Sequence, residues 1–116
     1  MTTQRIVVGA HYGLKDWLAQ RITAVVLAAY TLILGGVVLF GPALTQASWK
    51  AIFAGSFMKV LTLLAVIALG WHAWIGVRDI FMDYIKPTAV RLLLEVLTIV
   101  LLACYAIWAA NILWSL

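Results

Sequence analysis

The chain has 116 residues, 66% of them hydrophobic and only 10% charged, with a net charge of +4 and a mean hydropathy of +1.11. Soluble domains are about half apolar and a quarter charged, so this composition excludes a water-soluble fold and describes an integral membrane protein. A chain this short builds neither a wide pore nor a catalytic domain of its own, so residues 1–116 read as one membrane unit working beside partner chains.

At the N-terminus a mixed, polar stretch holds Arg5 and His11, and Lys15-Asp16-Trp17-Leu18 leads into the first apolar run. Trp17 followed by Arg21 suits a helix entering through the interface, where indole and guanidinium groups settle. From Ile22 to Phe40 there are 19 uncharged residues, which cover roughly 28 Å at ~1.5 Å each and match a hydrocarbon core of about 30 Å. Gly41-Pro42 ends the run. A cleaved signal peptide is the competing reading, but its leader and its apolar core would both be too long.

Residues 43–54 form a polar-to-interfacial connection containing Thr45, Gln46, Ser48, Trp49 and Lys50. Val60 to Val77 then gives 18 residues without formal charge, extended backwards by Phe57 and Met58 and closed by Arg78. Asp79, Asp83, Tyr84 and Lys86 fill the next connection before Pro87, which suits an early helical position because its missing N–H would be unpaired there. Arg91 and Glu95 sit four apart, spaced to pair on one helix face. Val96 to Leu116 adds 21 uncharged residues. The expected fold is all-α, with three transmembrane helices over approximately 17–40, 57–78 and 88–114.

Basic residues cluster at the ends of these runs. Arg5, Lys15, Arg21, Arg78, Lys86 and Arg91 lie on one face, against Lys50 and Lys59 on the other, which predicts a cytoplasmic N-terminus and a periplasmic C-terminus. No basic stripe with interleaved aromatics supports nucleic-acid binding. The single cysteine, Cys104, has no partner for an internal disulfide, and without C-x-x-C-H a covalently attached haem is excluded.

One titratable group interrupts the second span. His72 lies six residues before Arg78, roughly 9 Å inside the end of the run at ~1.5 Å per residue, and an ionisable side chain at that depth is a functional candidate by default. Ala65, Ala68 and Gly76 share its face. Small residues there leave room for a flat macrocycle beside an imidazole ligand, or equally allow two helices to approach closely with His72 hydrogen-bonded between them. If His72 is one axial ligand of a six-coordinate haem, the second imidazole comes from another chain, because His11 lies outside the membrane run. Arg21 begins the first span on the same side, either as a partner for haem propionates or as an interfacial anchor. At the membrane surface Tyr84 has a phenol able to donate to a quinone carbonyl, beside the Asp83 carboxylate; the alternative places Tyr84 in the aromatic belt and pairs Asp83 with Lys86. Trp74 is placed to stack with Arg78 one turn on.

The segment His72-Ala73-Trp74-Ile75-Gly76, the ten residues separating His72 from Asp83-Tyr84, and the following Ile85-Lys86-Pro87 and Arg91-Leu92 together resemble the small hydrophobic membrane anchor of bacterial succinate dehydrogenase. Lys15-Asp16-Trp17 through Arg21-Ile22-Thr23-Ala24 and Phe57-Met58-Lys59-Val60 extend the resemblance over nearly the whole chain; at Lys15 some relatives have histidine. The resemblance implies a complex of four different subunits. These are a flavoprotein carrying FAD, an iron–sulfur protein with its clusters, and two different three-span anchors that share a haem b and form a ubiquinone site in the bacterial inner membrane. By matched position His72 is implied as the axial ligand to the haem iron, Arg21 as a propionate partner, Tyr84 as the quinone hydrogen-bond donor and Asp83 as its neighbour in the quinone site. The chain alone is then expected to have no catalytic activity. Two rivals remain at this level: an anchor of fumarate reductase, running electrons the other way, and a small transporter or proton-conducting subunit using His72, Asp83 and Glu95 as a relay.

Overall fold

A computed structural model describes residues 10–116, with side chains from residue 13 onward. Arg5 and the side chain of His11 lie outside the described residues, so the readings that used them have no structural counterpart. Four helices follow in order: α1 (Ala10–Phe40), α2 (Gln46–Ala54), α3 (Ser56–Tyr84) and α4 (Thr88–Trp114). Among the described residues there is no strand. Three of the helices, α1, α3 and α4, are long and apolar enough to cross a membrane, as the uncharged runs predict.

Local chemistry explains each boundary. α1 stops at Phe40 because Pro42 disfavours helical geometry at the residue before it, and that residue is Gly41, where a Cβ would fall 2.5 Å from the Val37 carbonyl oxygen. Residues 43–54, expected from the sequence to form a connection, contain a helix. Thr45 caps α2 with its side chain on the Ser48 N–H at 3.1 Å, and the Thr45 N–H donates back to Ser48 Oγ at 2.8 Å, a reciprocal capping box that seeds a nine-residue helix. The helix of the second span does not end at Arg78. α3 continues through Asp79–Tyr84, since a charged side chain at the interface does not break a helix, and ends where Pro87 restricts the residue before it. The connection shrinks to Ile85–Pro87, with the Ile85 N–H donating to Phe81 O at 2.9 Å. Pro87 itself is the N-cap of α4, one position earlier than the first helical residue.

α3 is the shared element: α1 and α4 both pack on it, and α2 leans against it. The buried side chains are few, chiefly Thr23, Met58, Ala65, Ala68, Ile75 and Leu113. Ala65 and Ala68 lie on the α1 seam, where Ala68 shares a groove with Thr23 and Val26, and Ala65 shares one with Leu27 and Tyr30. These two small residues therefore serve close helix approach. Gly76, on the same face, has nothing within 4 Å of a Cβ built on it. Many large apolar side chains stay exposed on the rest of the surface, where they suit contact with lipid or another chain.

Candidate functional site

Three polar ties join α1 to α3 along the depth of the bundle. At the charged end, one Arg78 guanidinium nitrogen pairs with Asp16 Oδ2, and both side chains are only about a quarter to a third exposed. Arg78 also lies over the Trp74 ring at 5.8 Å, the stacking expected from their spacing. Deeper in, Thr23 Oγ1 lies 3.0 Å from His72 Nδ1. Deeper still, the Tyr30 hydroxyl meets Thr62 Oγ1 at 2.7 Å.

The middle tie holds the imidazole of the second span. Thr23 is 6% exposed, and its hydroxyl also lies 2.7 Å from the Ala19 carbonyl and 3.2 Å from that of Gln20. His72 is half-buried. Its Nδ1 edge is held by Thr23, and its Nε2 has no hydrogen-bond partner among the described residues. His72 thus keeps one ring nitrogen free at the bundle surface, with open space beside Gly76 one turn further on.

Between His72 and the charged end, a polar recess of about 350 Å³ is lined by Asp16, Trp17, Gln20, Arg21, Ile75 and Asp79. Arg21 is exposed, lies over the Trp17 ring at 5.6 Å and has no anionic partner among the described residues. Gln20 Oε1 and Arg78 Nε are buried without a hydrogen-bond partner. A polar recess of this size has room for water molecules.

Asp83 and Tyr84 form the last turn of α3, both exposed, with Tyr84 at 78%. Tyr84 follows His72 by twelve residues, which places it roughly 18 Å further along the helix axis at ~1.5 Å per residue. Neither the Asp83–Lys86 pair nor the Arg91–Glu95 pair forms; among the described residues Arg78–Asp16 is the only ion pair. No three His, Cys, Asp or Glu side chains converge among the described residues.

The family model of the succinate dehydrogenase/fumarate reductase transmembrane subunit matches residues 1–110. The chain belongs to this family. It is also similar to a protein of Coxiella burnetii (strain RSA 493 / Nine Mile phase I) named succinate dehydrogenase hydrophobic membrane anchor subunit, with 39% identity over 102 residues, covering 88% of this chain and 89% of that protein. The resemblance of the His72 and Asp83-Tyr84 segments thus extends to a match over most of the chain.

Within this membrane anchor, the sequence singles out His72, Arg21, Asp83 and Tyr84, and the fold divides them. His72 lies at the α1–α3 seam, Arg21 lines the recess toward the charged end, and Asp83 and Tyr84 stand apart at the end of α3. Thr23, Asp16 and Gln20 join the site only in the structure. Their signal in the sequence is spacing: Asp16, Thr23 and Tyr30 are seven apart and fall on one side of α1.

Proposed function

We propose that this anchor docks the flavoprotein and iron–sulfur subunits of a succinate dehydrogenase to the bacterial inner membrane, ligates a haem b through His72 together with a second anchor chain, and helps form the site where ubiquinone is reduced. The carrying observation is the state of His72: an imidazole in a lipid-spanning helix with Nδ1 held by Thr23 and Nε2 free at the bundle surface. That is the donor an axial haem ligand needs. Gly76 adds open space one turn away, and Arg21 adds a guanidinium without an anionic partner among the described residues, fit for a propionate. Haem, when bound, supplies a one-electron redox centre within the membrane.

The remaining steps belong to side chains of this chain. Tyr84 O–H donates to a carbonyl oxygen of ubiquinone at the membrane surface, which fixes the ring and stabilises the charge that builds on that oxygen as electrons arrive. Asp83, adjacent and exposed, passes protons from solvent toward that oxygen. Succinate oxidation in the soluble subunits releases two electrons and two protons, and ubiquinone takes up two of each to become ubiquinol. Six basic residues flank the N-terminal side and the connection between α3 and α4, against two on the opposite face, so the N-terminus and Tyr84 face the cytoplasm and the C-terminus the periplasm.

Replacing His72 by Ala in the assembled complex tests the ligand assignment. The expected result is loss or a marked change of the b-type absorption bands, whereas an unperturbed spectrum rules out ligation by His72.

A further inference from the structure

The Thr23 hydroxyl has one proton and three polar neighbours: the carbonyl oxygens of Ala19 at 2.7 Å and Gln20 at 3.2 Å, which accept, and His72 Nδ1 at 3.0 Å, which accepts or donates according to its tautomer. Two arrangements are open. If the hydroxyl donates to Nδ1, a single bond forms, and the imidazole proton sits on Nε2, which has no acceptor among the described residues. If it donates to Ala19 O, the shorter contact, its oxygen is free to accept from an Nδ1–H, and two bonds form in a chain from imidazole to hydroxyl to carbonyl. In a low-dielectric interior, chained bonds reinforce each other and an unpaired N–H is costly, so the second arrangement prevails.

We propose that Thr23 is the positioning residue for His72: its hydroxyl accepts from Nδ1–H, fixes that tautomer and ring orientation, and so presents the Nε2 lone pair to the haem iron. This rests on the ligand role proposed above for His72. Outer partners of a metal-bound histidine fix the tautomer and raise ligand basicity. Thr23 is suited to it in three ways. It is β-branched, so its χ1 is restricted; it is buried on the seam; and its bond back to the preceding turn of α1 sets the direction in which the oxygen faces α3.

The test uses the complete complex with Thr23→Val, which keeps side-chain shape and removes the hydroxyl, and Thr23→Ser, which returns it. Without the hydrogen bond the imidazole is a weaker donor and favours the ferric state less. The Thr23→Val complex should therefore show a raised haem b midpoint potential, a shifted ferric low-spin resonance and haem affinity lowered ~10- to 100-fold, the usual cost of losing such a partner. Thr23→Ser should restore all three. Thr23→Ala removes the same hydroxyl without adding bulk and reads the same shifts if the valine variant does not assemble. Wild-type potential, resonance and haem retention in the hydroxyl-less variants would overturn the proposal. His72→Ala separates the two levels: if it abolishes the haem bands while Thr23→Val matches wild type, the positioning role alone fails, and if it leaves the bands intact, ligation and positioning fail together.

Discussion

Tyr84 stands 78% exposed on the final residue of α3, at the end where Asp16 and Arg78 gather charge. A phenol so placed is accessible from outside the chain, and in the quinone role proposed for it Tyr84 contributes a single hydrogen bond. Tyr84→Phe removes that donor and little else. The expected loss is about 1 kcal/mol, roughly fivefold in kcat/KM for quinone, with succinate oxidation by artificial acceptors nearly intact; unchanged quinone kinetics would remove Tyr84 from the site. His72 is legible in the sequence because a lone imidazole in an uncharged run carries a cost that calls for a role. Thr23 is not. A threonine in a membrane helix satisfies its hydroxyl on the preceding turn, as Thr31 and Thr98 also do, so nothing in the residue type announces a partner 49 positions away.

At the scale of elements, the α1–α3 seam is laced by Asp16–Arg78, Thr23–His72 and Tyr30–Thr62. Seven-residue spacing on α1 keeps all three on nearly the same side, and the antiparallel course of α3 delivers their partners in reverse order. Small Ala65 and Ala68 let the backbones approach closely enough for these bonds to close. Tyr30→Phe should cost about 0.6 kcal/mol, the average for an interhelical hydrogen bond in lipid. Asp16→Asn should cost about 1 kcal/mol, the upper end for partly exposed ion pairs, because Arg78 keeps its stacking on Trp74. Unfolding of the purified complex in graded denaturing detergent reads both, and equal midpoints for the variants and wild type would mean the ties contribute nothing. The three spans are legible because hydropathy reports length directly. α2 and the last turns of α3 are not, since a capping box and a distant proline set those boundaries while polarity points to loops.

The whole molecule is built to be completed by other surfaces. Large apolar side chains such as Leu32, Phe40, Phe57 and Ile107 are mostly exposed, and none of the apolar window of α4 is buried within the chain. Three helices that bury so little of themselves present their apolar faces to lipid or to other helices, and His72 Nε2 has no hydrogen-bond partner among the described residues. Membership in the succinate dehydrogenase/fumarate reductase transmembrane subunit family says which kind of assembly this is. The most direct measurement is a reduced-minus-oxidised absorption spectrum of the assembly purified through this chain in a mild detergent, with its co-purifying chains identified. The predicted result is b-type haem bands in a complex of this chain with a second anchor, an iron–sulfur protein and a flavoprotein; a haem-free homo-oligomer would contradict the haem-ligand and anchor roles together.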